Sequence, residues 1–389
     1  MEKETIAIRE RANSEPNTHS VPLYMTSSYT FEDSEEMRAK FAGEEQGNVY
    51  SRYSNPNVNE FITKVVKLEG AEDGWATASG MAAIFSTFGA LLNAGDHVVS
   101  CRSVFGSTHK LFTEIFPKWN ISHTYVDAGN ILGFDSAINE NTKILFIETP
   151  SNPALDILDL KLLAEICNKK GILFIVDNCF ATPLLQQPIK FGADVVIHSA
   201  TKYMDGQGRS LGGVIVGEKD IIDEISNFSR HSGPCLSPFN AWILSKSLET
   251  LDVRMERHCN QALEIAERLE KISVSINWVK YPHLPTHPQY QLAKKQMKKG
   301  GGIVTFEIKG GIKAGQEFLN NLKLFSLTAN LGDTRSIATH PASTTHAKLS
   351  PEERSQVGIT DGLIRLSIGL ENVEDIWDDI TSAFRKLTE

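Results

Sequence analysis

ILFIETPSNPALDILDLKLLAEICNKKGILFIVDNCFATPLLQQPIKFGADVVIHSATKY, residues 144–203, decides the fold. It holds three short apolar runs, ILFIE (144–148), LFIVDN (173–178) and ADVVIHSA (193–200), with a helix pattern, DLKLLAEICNKKG (159–171), between the first two. The runs are continuous rather than alternating and rich in β-branched residues, as in strands covered on both faces. Strands alternating with helices predict a mostly parallel sheet in an α/β domain. In such sheets the ligand sits beyond the carboxyl ends of the strands.

The pattern extends upstream. NPNVNEFITKVVKLEGA (55–71) has a proline near a helix start and spaced apolar residues, and SGMAAIFSTFGALLNAG (79–95) leads into the strand HVVSC (97–101). Residues 1–50 are polar and without sustained periodicity, which predicts an irregular arm. Within it VPLYMTSSYTF (21–31) is too apolar for a loose tail and is expected to pack on something. Downstream, 237–272 reads as one long helix with a Ser-Pro start. SINWVKY, GGIVTFEI, a helix around 312–322, GLIRLSIG and the amphipathic 371–387 then make a smaller α+β C-terminal domain. The expected division is an arm over 1–50, a large domain over 51–240 and a C-terminal domain over 241–389.

Composition narrows the function. A formal net charge of −9 argues against a nucleic-acid surface. No apolar run approaches the ~20 residues of a spanning helix, so no membrane role is expected. The charged N-terminus lacks an apolar leader core, and the five cysteines are odd in number with no CxxC pair. Both features point to reduced thiols in the cytoplasm, and neither to a disulfide frame or metal site.

Three features sit at strand ends. Asp177 closes LFIVD, where a carboxylate needs a cationic partner or a cap to satisfy. Lys202 follows ADVVIHSA by two residues, flanked by the hydroxyls of Ser199 and Thr201; a lysine becomes a Schiff-base nucleophile when its surroundings lower its pKa. Ser79 and Gly80 open a helix, whose backbone N–H groups attract phosphate. Each alone has an ordinary explanation: a structural salt bridge, a solvated surface lysine, a common N-cap. Their order, with Lys202 placed 25 residues after Asp177, is the layout of an aspartate-aminotransferase-like pyridoxal 5'-phosphate (PLP) enzyme. Arg365 is odd within an apolar strand and calls for an anionic partner, of which a substrate is one candidate.

With YSRYSNP (50–56), ASGMAA (78–83), ETPSNP (148–153), DNCFATP (177–183), SATKY (199–203), LGD (331–333), THPASTTH (339–346) and GLIRLSIGLEN (362–372), the chain resembles the Cys/Met-metabolism (transsulfuration) PLP-dependent enzymes from about residue 17 to its end. The resemblance implies fold type I with a mostly parallel central sheet. It implies that Lys202 carries PLP as a Schiff base and that Asp177 pairs with the pyridine nitrogen. Ser79, Gly80, Met81, Ser199 and Thr201 would hold the phosphate, Phe105 would stack on the ring, and Asn152 would lie near the ring hydroxyl. Tyr50 and Arg52 would reach the phosphate of a neighbouring subunit, which implies a homo-oligomer, a dimer of dimers. Arg365, helped by Ser336 and Asn152, would clamp the substrate α-carboxylate.

Two departures stand out. Phe105 replaces the family's usual stacking tyrosine, and Arg335-Ser336 replaces a Glu-Ser pair. Both resemble the family's sulfhydrylase branch, which joins sulfide to an activated homoserine. The implied reaction is O-succinylhomoserine plus sulfide to homocysteine and succinate. An O-acetyl substrate, cystathionine synthesis or γ-elimination on the same scaffold are the alternatives. Lys110 and Arg335 are candidates for holding a distal succinyl carboxylate, against ordinary surface placement. A non-catalytic scaffold is disfavoured by the presence of Lys202, Asp177 and Arg365 together. A nicotinamide dehydrogenase is disfavoured because no GxGxxG follows an early strand.

Overall fold

The strands expected in 144–203 are β4 (Thr142–Glu148), β5 (Leu173–Asp177) and β6 (Val195–Ser199), in a computed structural model that describes residues 1–12, 18–344, 347, 350–351, 354 and 358–387. The last two residues of the THPASTTH motif, 345 and 346, lie outside the described residues. Before these strands come β1 (Asp73–Thr77), β2 (His97–Cys101) and β3 (Ser122–Val126), and after them β7 (Gly213–Gly217). They form one seven-stranded sheet in the order β1-β7-β6-β5-β4-β2-β3. Six strands share one direction; β7 runs against them, antiparallel to both of its neighbours, β6 and β1. The expected mostly parallel α/β sheet is present.

Alternate residues of each central strand enter opposite cores. Phe174 and Val176 join one apolar cluster, and Ile175 between them joins another, all fully buried. That two-sided burial is why the strands read as unbroken apolar runs. The helix Leu160–Lys170 is set by local chemistry: Asp159 accepts the Leu162 N–H at 3.1 Å, and Gly171 ends it at φ +66°.

A second, smaller sheet comprises β8 (Ile276–Lys280), β9 (Ile303–Ile308), β10 (Ser326–Leu327), β11 (Ile337–Thr339) and β12 (Leu363–Ser367), in the order β10-β11-β12-β9-β8. Val304, Phe306, Ile364 and Leu366 pack beneath the helix Val373–Arg385 through Ile376 and Ile380.

Two expectations are corrected. The single helix over 237–272 is two, Pro238–Leu248 and Leu251–Glu270. No proline or glycine breaks it. Side chains bond a carbonyl at the break: Ser247 O accepts from Arg254 Nη2 at 2.9 Å and from Thr250 Oγ1 at 3.2 Å. The arm is not wholly irregular either. It contains helices Lys3–Arg9 and Ser34–Ala42, the second capped by Asp33, which accepts the N–H groups of Glu35 and Glu36. The apolar stretch does pack: Trp242 Nε1 donates to Val21 O at 2.9 Å and Asn57 Nδ2 to Pro22 O at 2.8 Å.

Candidate active site

The ends of β5 and β6 face a cavity of about 260 Å³. Ser79, Gly80, Met81, Phe105, Asn152, Asp177, Ser199, Thr201, Lys202 and Arg365 all border it. Ten of the expected residues, drawn from six separate segments, thus converge. A larger groove of about 630 Å³ lies along the helix Gly311–Asn321, but its only charged side chains, Lys313 and Glu317, face each other at 3.9 Å.

The turn at Ser79 starts the helix Gly80–Leu91, with Ser79 Oγ accepting the Ala82 N–H at 3.1 Å. Glycine is required next to it: a Cβ on Gly80 would stand 2.6 Å from Ser199 Cβ and 2.9 Å from its Oγ. Backbone N–H groups and two hydroxyls therefore crowd one spot, a cradle suited to a phosphate.

Asp177 Oδ1 accepts the Cys179 N–H at 2.9 Å. Burial pushes its carboxyl up to about 6, opposed by that N–H and by the neighbouring His198 and Lys202. Behind it His198 Nε2 lies 2.6 Å from Glu69 Oε1, and Asn178 Nδ2 donates to the same oxygen at 2.9 Å. A carboxylate kept short of full ionisation by its setting is completed by a cation, such as a protonated pyridine ring.

Lys202 Nζ donates to Asn330 Oδ1 at 2.7 Å. Burial, reinforced by the nearby Arg365 charge, lowers its pKa below the ordinary 10.5. That is the setting of a nucleophilic amine. Arg365 Nη1 donates to Asn152 Oδ1 at 2.9 Å and Nη2 to Asn330 O at 3.2 Å. Its Nε is buried with no hydrogen-bond partner among the described residues. Burial pushes this arginine down to about 10, still a cation at neutral pH. A buried guanidinium with a spare donor fits a carboxylate ligand.

Five expected residues are not part of this convergence. Tyr50 and Arg52 stand apart from their own chain's cavity; the Arg52 guanidinium lies 5.4 Å and 4.9 Å from the Tyr50 and Tyr53 ring centres and bonds Arg230 O. That placement is compatible with service to another subunit. The other three have partners elsewhere in the chain. Lys110 is exposed and pairs with Glu114 one helical turn on. Arg335 is exposed and forks onto Asp333, with Nε–Oδ1 and Nη2–Oδ2 both 2.9 Å. Ser336 is buried, but its Oγ donates to Glu371 Oε2 and accepts the Gly369 N–H, both at 2.9 Å. None borders the cavity.

The sequence reading missed Asn330 and Glu148. Asn330 lies in a loop with no motif to mark it beyond the LGD that follows. Glu148 was visible as a second strand-end carboxylate: it pairs in register with Asp177 across β4 and β5. Burial first, then the Asp177 charge, holds its pKa well above the usual carboxylate range, against the pull of the Phe105 N–H.

The cavity's chemistry agrees with what the chain is similar to. Residues 4–385 match the family model for Cys/Met metabolism PLP-dependent enzymes. An O-succinylhomoserine sulfhydrylase of Pseudomonas aeruginosa is 47% identical over 99% of this chain and 95% of its own. An L-methionine gamma-lyase of Fusobacterium nucleatum is 43% identical over 95% of this chain and 94% of its own. The metY structure from Campylobacter jejuni, solved with N'-pyridoxyl-lysine-5'-monophosphate, superposes with a TM-score of 0.95 at 35% identity, over 99% of this chain and 100% of that one. From the convergent lysine, aspartate, arginine and phosphate cradle and from these matches together, the chain belongs to the Cys/Met metabolism PLP-dependent enzymes.

Proposed function

We propose that Lys202 holds PLP in this cavity and that the protein catalyses γ-replacement on O-succinylhomoserine, with sulfide as nucleophile and homocysteine and succinate as products. The observation that carries the reading is the meeting of a largely buried lysine amine, a strand-end aspartate and a buried arginine with a spare Nε around one cavity. The identity to O-succinylhomoserine sulfhydrylases supports the substrate.

When bound, PLP supplies the electron sink for bond cleavage at the substrate Cα. Asp177 would face the ring nitrogen and keep it protonated. The Ser79–Met81 backbone with Ser199 and Thr201 would hold the phosphate, and Phe105 would cover one ring face. Arg365, seated by Asn152 and the Asn330 carbonyl, would take the α-carboxylate in a fork. Lys202 would move protons: its lowered pKa favours the neutral amine, which can accept the Cα proton and return protons along the substrate as the γ-acyloxy group leaves and sulfide adds. Asn330 Oδ1 offers that amine a fixed acceptor between transfers.

We further propose a homotetramer, a dimer of dimers, in which Tyr50 and Arg52 complete the neighbour's phosphate site, and a cytoplasmic location. The five free cysteines accord with reducing surroundings. The deciding experiment compares kcat/KM for O-succinyl- and O-acetylhomoserine, each with sulfide and with cysteine. Highest kcat/KM for the succinyl ester with sulfide is expected. Release of 2-oxobutyrate from methionine at a higher kcat/KM would establish the lyase chemistry of the second group of relatives instead.

A further inference from the structure

We propose that Glu148 is a positioning residue: by accepting the Phe105 N–H it fixes the Phe105 ring against the face of the cavity where the cofactor ring lies. The inference rests on the reading of that cavity as the PLP site. Glu148 ends β4 and borders the cavity with Asp177 and Phe105. Its Oε1 accepts the Phe105 N–H at 2.7 Å, across 43 residues of chain. Phe105 opens the short helix Gly106–Lys110, which has no side-chain cap of its own, so the bond from Glu148 stands in for one. Phe105 as a residue is 44% exposed, so packing within the chain restrains it weakly. The backbone anchor therefore sets where the ring sits.

The carboxyl need not be charged for this. Glu148 is 6% exposed and stands in register with Asp177 on the adjacent strand. Two buried carboxylates side by side do not both ionise readily, and Asp177 is the one that faces a ring cation. A backbone N–H asks only for an acceptor oxygen, which a carboxylic acid or a carboxamide provides equally. Glutamine should thus replace Glu148, and an apolar residue should not.

The test titrates apoproteins of wild type, Glu148→Gln, Glu148→Leu and Glu148→Ala with PLP, following binding by fluorescence and ring fixation by circular dichroism in the visible band. Glu148→Leu fills the space, so one variant without an acceptor stays folded even where alanine does not. Glu148→Gln is expected to bind within about threefold of wild type, and the leucine and alanine variants about tenfold or more weaker with reduced dichroism. Adding Glu148→Leu to Phe105→Ala should cost nothing further. Glutamine as damaging as leucine would show that charge matters rather than the acceptor. Additive losses in the double variant, or unchanged affinity in all three, would equally overturn the proposal. Failure of the wild-type apoprotein to bind PLP would instead overturn the reading of the cavity.

Discussion

Replacing Arg365 by lysine keeps a positive charge in the cavity and removes the fork. The native guanidinium commits Nη1 to Asn152 and Nη2 to the Asn330 carbonyl, leaving Nε without a partner among the described residues. An incoming carboxylate takes the spare donor and shares an Nη. A lysine ammonium is a compact point charge and cannot serve Asn152, Asn330 and the carboxylate in one plane. The loss is one charge-assisted hydrogen bond to substrate, worth about 1.5–3 kcal/mol. That corresponds to about ten- to a hundredfold in kcat/KM. Because the carboxylate is held alike before and during the reaction, most of the change should appear in KM. Steady-state kinetics with O-succinylhomoserine and sulfide measure it, with the visible band of bound PLP as a control for an intact cofactor site. A kcat/KM within about twofold of wild type, with the band intact, would refute the assignment of Arg365 to the carboxylate.

Other variants probe the remaining roles. Asp177→Asn should lower turnover by about a hundredfold or more, since it leaves the ring cation without its buried counter-charge. Burial raises the Asp177 carboxyl from 3.8 to about 6, so the folded apoprotein binds the extra proton between those values and loses stability as pH rises through them. The Asp177→Asn apoprotein should therefore melt higher than wild type at pH 7 and lose that advantage in acid. Lys202 has the opposite sign of linkage. Its folded pKa lies below 10.5, so the unfolded chain binds more protons in that interval and stability rises with pH. Apo Lys202→Met should melt above wild type at neutral pH, with the gap narrowing as pH approaches 10.5. Mixing inactive Arg52→Ala and Lys202→Ala chains through unfolding and refolding should restore about a quarter of wild-type activity, because half the dimers are mixed and each has one intact site. No recovery would place Arg52 outside the neighbour's site.

The parts of the site legible in sequence are those fixed by the backbone. Asp177 ends β5, Lys202 lies three residues past the end of β6, and Ser79 caps a helix, so local pattern alone puts them on one edge of the sheet. Residues whose place depends on contacts across the chain are harder to read. Asn330 reaches Lys202 over 128 positions, and the break after Leu248 is bridged by an arginine on the following helix. Lys110 and Arg335 stand outside the cavity lining for a local reason that the sequence contains. Each has a carboxylate within one turn, at Glu114 and Asp333, and an exposed cation beside its own counter-ion has no cause to enter a cavity. Ser336 Oγ is engaged by Glu371 and the Gly369 N–H, contacts that the local sequence does not announce. Glu148 could have been found by applying to β4 the strand-end argument already used for Asp177.

Whether Lys202 is the lysine that carries PLP is tested most directly by borohydride reduction of the holoprotein followed by peptide mass mapping. A pyridoxyl group is expected on the peptide containing Lys202, with loss of the label in Lys202→Ala. A pyridoxyl group on any other lysine, or a holoprotein that takes up no label, would contradict that assignment and the site built around it.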